Sequence, residues 1–213
     1  MRKAVIGIVM ILAAPAQSKE VVIAALGDSL TQGYGLAVED GLVPQLQAWL
    51  NEQGAEVRLI NAGVSGDTTA GGLARVDWTL TPEVDGMIVA LGGNDLLRGL
   101  DPVQARSNLT GILQAAERGS VEVLLVGMEA PGNFGPAYKA QFDAIYPDLA
   151  QEFGSLYLES FFVRFRIDGK MPDLAELGAF LQSDGIHPNA SGVARIVEGL
   201  GPQVMDLIAE IEE

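Results

Sequence analysis

Ser29, Asp184 and His187 are the residue types from which a nucleophile, its base and an orienting acid are built. His187 is the sole histidine of the chain and lies in Asp184-Gly185-Ile186-His187-Pro188. Imidazole is the side chain best suited to moving protons near neutral pH, so any histidine-based chemistry here has one carrier. Ser29 stands far upstream in Leu26-Gly27-Asp28-Ser29-Leu30, directly after an apolar run. Each residue also has a plain structural reading. Ser29 suits a helix or turn cap, Asp184 an Asx-turn, and His187 a polar neighbour of the helix start at Pro188-Asn189.

Two further positions could stabilise a developing oxyanion. Asn94 offers a side-chain amide donor, and Gly66 a backbone N–H where a side chain would obstruct a substrate. Their structural readings are a turn-former and a positive-φ turn. Asp28, Asp67 and Asp95 read as loop braces and helix caps rather than as acids or bases.

The elements that must position these residues follow from hydrophobic patterning. Val21–Leu26, Val57–Asn61, Gly86–Leu91, Val121–Val126 and Ser155–Leu158 read as five strands, several of them continuous apolar runs suited to burial on both faces. Helices are predicted over 42–50, closed by Gly54, over 69–80 ending near Pro82, and over 103–118 behind the start signal Asp101-Pro102. A helical pattern over 137–153 should kink or break at Pro147, and one over 189–211 is interrupted at Gly199-Leu200-Gly201-Pro202. The stretch 161–182 shows no clear pattern. Alternating strands and helices imply one doubly wound α/β domain with a parallel sheet covered on both faces. Ligands of such sheets bind beyond the carboxyl ends of the strands. The polar segments at Gly27-Asp28-Ser29, Asn61–Thr68 and Gly92-Gly93-Asn94-Asp95 all follow predicted strands and would gather at that edge.

Composition narrows the partners. The 213 residues carry 48% hydrophobic and 19% charged side chains, which suits a folded domain with a sizeable core. A net charge of −15 and a pI of about 4.3 repel nucleic acid and anionic membranes. Without cysteine there is no disulfide, thiol nucleophile, thiolate metal site or lipid-modified cysteine. One histidine likewise rules out the usual zinc sites and leaves only an all-oxygen site open. Residues 1–16 have the form of a cleaved export signal: Arg2 and Lys3, an apolar stretch from Ala4 to Leu12, then Ala14-Pro15-Ala16. The apolar segment is too short for a comfortable transmembrane helix, so the expectation is a periplasmic or secreted domain over 17–213 without a stable membrane anchor.

Taken together, the polar segments closely resemble the four ordered blocks of the SGNH hydrolases, also called the GDSL family. They read Gly27-Asp28-Ser29-Leu30, Gly63–Thr68, Gly92–Asp95 and Asp184–Pro188. The resemblance runs from about Val21 to His187 and is nearest to the periplasmic multifunctional branch of thioesterase I/lysophospholipase and arylesterase type. It implies a three-layer α/β/α, flavodoxin-like fold with a five-stranded parallel sheet. It also implies Ser29 as nucleophile, His187 as base and Asp184 as its orienter, without cofactor or metal. The oxyanion hole would comprise the Ser29 and Gly66 N–H groups and the Asn94 side chain, each donor worth about 3 kcal/mol of barrier. Substrates would be small acyl or aryl esters, acyl thioesters or lysophospholipids, with carbohydrate O-acetyl esters as the alternative. Leu96, Leu97, Met128, Phe134 and Tyr138 are candidates for an acyl pocket, each with ordinary packing as its other reading. Glu129, in the loop after the fourth strand, departs from the family pattern.

Other readings lack their signatures. No serine stands in the Gly-x-Ser-x-Gly context of α/β-hydrolases. Neither a Gly-x-Gly-x-x-Gly run nor a P-loop is present, and nothing singles out a glycosidase pair of carboxylates. A binding module that keeps the fold without turnover is the non-enzyme alternative.

Overall fold

A run of seven apolar residues that is buried along its whole length, Val21–Gly27, forms β1, an inner strand of the sheet. The computed structural model describes residues 20–168, 172 and 174–213, so the expected export signal lies outside the described residues. β1 pairs in parallel with β2 (Val57–Gly63) on one side and with β3 (Gly86–Ala90) on the other. β4 (Glu122–Val126) and β5 (Leu156–Leu158) extend the sheet in the order β2-β1-β3-β4-β5. The strand order reverses at β1, which creates the crevice where parallel sheets bind ligands.

Helices follow the strands in turn: α1 (Ser29–Gln32), α2 (Leu42–Glu52), α3 (Thr69–Thr79), α4 (Gly93–Leu97), α5 (Pro102–Gly119), α6 (Pro136–Asp143), α7 (Ile145–Phe153), α8 (Leu174–Leu177) and α9 (Ala190–Glu212). α2 packs against α9 on one face of the sheet, while α3 packs against α5 on the other. The buried stripe of α2 is Leu42, Val43, Leu46 and Leu50, and burying each leucine contributes about 2 kcal/mol. Asp101 caps α5 by accepting the Val103 N–H at 2.9 Å, with Pro102 at the first helical position as its sequence suggests.

Two proline sites differ from expectation. The break near Pro147 falls earlier, at Ala144 between α6 and α7. Pro147 is then the third residue of α7, where a missing N–H costs no intrahelical bond. In contrast, α9 runs unbroken through Pro202. The glycines there serve packing. A Cβ on Gly201 would lie 2.6 Å from the Trp49 ring of α2, and one on Gly199 would lie 2.6 Å from Arg164 Cγ. The proline costs about 3 kcal/mol in a helix interior. Burial of Leu200, Val204, Leu207 and Ile208 offsets that cost, so the helix continues past the proline.

Candidate active site

Ser29 is the first residue of α1, immediately beyond the carboxyl end of β1. The strand turns into the helix within two residues because Gly27 has no side chain. A Cβ there would fall 2.0 Å from Thr31 Oγ1. Asp28, not Ser29, caps α1: its Oδ1 accepts the Leu30 N–H at 3.0 Å. The Ser29 hydroxyl is thereby released from a capping role and stands 2.9 Å from His187 Nε2.

The loop carrying His187 is closed on itself. Leu181 and Pro188 form an antiparallel bridge, the Gln182 N–H donates to the His187 carbonyl at 2.7 Å, and Gly185 turns the chain at φ +68°. Gln182 Nε2 also donates to the Tyr34 carbonyl at 2.8 Å, tying this loop to the segment after α1. A Cβ on Gly35 would collide with the Gln182 amide at 2.3 Å. The Tyr34 ring lies 4.6 Å from the imidazole, centroid to centroid.

Asp184 is both an Asx-turn and a partner of the imidazole, so its two readings hold together. Oδ1 accepts the N–H groups of Ile186 at 2.9 Å and His187 at 3.0 Å, while Oδ2 lies 2.7 Å from His187 Nδ1. The His187 ring and these two N–H groups hold the Asp184 carboxyl at about 2, below the usual 3.8. A carboxylate on Nδ1 selects the tautomer with the proton there, leaving Nε2 to accept from the Ser29 hydroxyl.

Asn94 lies in α4, after β3, and its Nδ2 donates to Asp28 Oδ2 at 3.2 Å. Asp28 is almost fully buried, and burial pushes its carboxyl up against the opposing pull of the Leu30 N–H and the Asn94 amide. The entry into α4 needs Gly92, at φ +117°, because a Cβ there would meet Tyr146 Oη at 2.0 Å. Tyr146 in turn donates to the Leu91 carbonyl at 2.9 Å. Asp95 is buried and accepts from Thr69 through both its N–H (2.8 Å) and its hydroxyl (2.7 Å). Gly66 follows β2 in a turn at φ +83°, and Arg98 Nη2 donates to its carbonyl at 2.8 Å.

These groups share one cavity of about 590 Å³ along the carboxyl edge of the sheet, with Ser29, Gly66, Asn94 and His187 on its wall. Of the apolar residues expected there, Leu96, Leu97, Met128 and Phe134 line it. Tyr138 stands beside Phe134 and not among these lining residues. Its hydroxyl donates to the Leu100 carbonyl at 2.9 Å and its ring packs between Phe134 and Phe142, outside the wall. The sequence reading missed Leu30, Tyr34, Ser160, Phe162 and Ile186 on the wall. Tyr34 and Ile186 could have been found by their nearness to Ser29 and His187, whereas Phe162 lies in the stretch without a pattern. Glu129 lines the cavity as an ion pair, with Arg166 Nη2 2.6 Å from its Oε2 and Arg166 Nη1 2.8 Å from Glu159. Among the described residues no group of three or more acidic or histidine side chains is placed to hold a metal ion.

Known proteins place this arrangement in a family. Residues 25–195 match the GDSL-like Lipase/Acylhydrolase family. The chain is 37% identical to Esterase TesA of Pseudomonas aeruginosa over 185 residues, covering 86% of this chain and 87% of that protein. It is 35% identical over 188 residues to Thioesterase 1/protease 1/lysophospholipase L1 of Escherichia coli K12, covering 86% and 83% of the two chains. Its fold superposes with a TM-score of 0.71 on the crystal structure of AlinE4, an SGNH-hydrolase family esterase, at 42% identity over 90% of this chain and 98% of that one. The chain belongs to the GDSL-like lipase/acylhydrolase family.

Proposed function

We propose that this protein is a serine carboxylic ester hydrolase that works without cofactor through Ser29, His187 and Asp184. The observation that carries this reading is the chain of contacts Ser29 Oγ to His187 Nε2 to Nδ1 to Asp184, at 2.9 and 2.7 Å, with Ser29 and His187 on the wall of the cavity. In the first half-reaction His187 Nε2 takes the hydroxyl proton as Ser29 Oγ bonds to the acyl carbonyl carbon. The carbonyl electron pair moves onto oxygen, and the Asp184 carboxylate stabilises the imidazolium that forms. Collapse of the tetrahedral intermediate expels the alcohol or thiol, which receives the proton from His187. Water then repeats the sequence on the acyl-enzyme and releases the acid.

The oxyanion would be met by the N–H groups of Ser29 and Gly66 and by the Asn94 amide. Asn94 Nδ2 carries two N–H bonds, and the one directed to Asp28 fixes the plane of the other. Such donors act strongly because they are oriented before charge develops.

Leu30, Leu96, Leu97, Met128, Phe162 and Ile186 give the cavity apolar walls, which favours acyl or aryl chains over an acetylated sugar. The names of the relatives, esterase and thioesterase/lysophospholipase, point to the same substrates. We further read residues 1–16 as an export signal that places the domain in the periplasm or outside the cell. No helix among the described residues is long and apolar enough to cross a membrane.

The test compares wild type, Ser29→Ala and His187→Ala on aryl esters, acyl-CoA thioesters and acetylated sugars. The expected result is hydrolysis of the first two classes by wild type and its loss in both variants. Activity confined to acetylated sugars promotes the alternative substrate class, and equal rates in all three proteins overturn the mechanism.

A further inference from the structure

Arg75 lies outside the cavity, yet its guanidinium joins two of the loops that enter it. From α3 its Nη2 donates to the carbonyl of Gly27, the last residue of β1, at 2.8 Å. Its Nη1 donates to the carbonyl of Ala62 in β2 at 2.6 Å, and its Nε to Asp67 Oδ2 at 2.6 Å. Gly27 leads through Asp28 into Ser29, while Asp67 directly follows Gly66. One rigid, planar fork therefore fixes the chain on either side of the gap between the Ser29 and Gly66 backbones. Side-chain exposure of the pair is only 21% for Arg75 and 18% for Asp67, so the contact is largely shielded from water.

The surroundings are shaped to admit this clamp. Gly71 stands one turn before Arg75 on the same face of α3, and a Cβ there would meet Asp67 Oδ1 at 2.5 Å. The Asp67 N–H is turned back to the Val64 carbonyl at 3.1 Å, and the Val64 N–H donates to the Gly27 carbonyl at 3.1 Å. The other end of α3 is pinned to the third loop through the buried Thr69–Asp95 pair, which Asn108 Nδ2 supports by donating to Thr69 Oγ1 at 3.0 Å. α3 thus contacts all three strand-end loops that carry Ser29, Gly66 and Asn94.

We infer that Arg75 is a positioning residue for the oxyanion hole, setting the Gly66 N–H against the Ser29 N–H through its hold on Gly27, Ala62 and Asp67. The inference rests on the serine hydrolase reading above. Its physical basis is that two backbone donors on separate loops must converge on one oxygen, and a displacement of about 1 Å costs up to a hundredfold in rate. A lysine cannot replace the fork, since an ammonium is a single point charge and cannot span three acceptors in fixed directions.

The experiment measures kcat, KM and the affinity of an alkylboronic acid for wild type, Arg75→Lys, Arg75→Met and Asp67→Asn, with thermal unfolding in parallel. Boron bonds to the serine oxygen and presents a tetrahedral oxygen to the hole, so boronate affinity follows transition-state binding. The expected result on a short aryl ester is a fall in kcat of about tenfold to a hundredfold for both Arg75 variants, with KM within a factor of two. Boronate affinity falls by the same factor as kcat/KM, and Asp67→Asn gives an intermediate loss in both. A purely structural role would lower the melting temperature while leaving kcat and boronate affinity of the folded fraction at the wild-type level, and that result overturns the inference. If the Arg75 variants do not fold, Asp67→Asn decides by the same two measurements. A wild type that neither hydrolyses esters nor binds the boronate overturns the hydrolase reading instead.

Discussion

The buried Asp28 carboxylate joins Ser29's helix to Asn94: one oxygen accepts the Leu30 N–H at 3.0 Å and the other the Asn94 amide at 3.2 Å. The helix cap and the orientation of the proposed oxyanion donor are therefore two functions of one side chain. Asn94→Ala removes the donor and should lower kcat by about a hundredfold to a thousandfold with little change in KM. Steady-state kinetics on a short aryl ester check this, and an equal change in kcat with an intact boronate affinity would remove Asn94 from the hole.

Asp184 provides a prediction in pH. Its folded carboxyl titrates at about 2, against 3.8 for the ordinary side chain, chiefly through the His187 ring. Because the folded value is depressed, its contribution to stability is present above about pH 3.8 and is lost as pH falls through 2. In His187→Ala the largest cause disappears while the Ile186 and His187 N–H groups remain. The carboxyl midpoint, followed by NMR, should rise part of the way towards 3.8. An unchanged midpoint would mean that the turn, not the imidazole, holds the charge.

Gly63 faces backbone rather than a yielding side chain. A Cβ there would lie 2.3 Å from the Gln32 nitrogen of α1, so the helix that carries Ser29 must shift. Gly63→Ala should cost about 1–3 kcal/mol of stability and lower activity as well. Thermal unfolding and hydrolysis rates measured together test this, and a variant with wild-type values in both would show that α1 tolerates displacement.

The Glu129–Arg166 pair bears on substrate charge. Arg166→Gln leaves the Glu129 carboxylate on the cavity wall without its cation. Hydrolysis of an aryl hemisuccinate, which carries a negative acyl group, should then fall relative to the neutral butyrate. Glu129 is partly exposed, so the expected change is a few-fold and shrinks as salt is added. An unchanged ratio at low salt would show that acyl groups do not approach Glu129.

What could be read from the sequence follows the range of the interactions. β1 and β3 were legible because strands buried on both faces are written as unbroken apolar runs. Ser29 and His187 were legible because each stands in a short block whose neighbours are set by tight local turns. Arg75 was not, since two of its three acceptors are backbone carbonyls, which leave no trace in residue types. The sequence does not separate Tyr138 from Phe134, because an aromatic residue beside a cavity residue reads the same whether it lines the cavity or backs its wall. Similarly, Gly199 and Gly201 look like a helix interruption until Arg164 and Trp49 are seen to occupy the space a Cβ would need. Arg164 and Trp49 lie far from these glycines in the chain, beyond any spacing rule.

The role of Ser29 as nucleophile is tested by intact-mass analysis after exposure to an alkyl fluorophosphonate, with peptide mapping of the modified site. A single adduct on Ser29 is expected, formed rapidly by wild type and lost or greatly slowed in His187→Ala. An adduct on another residue, or undiminished labelling of Ser29→Ala, would contradict it.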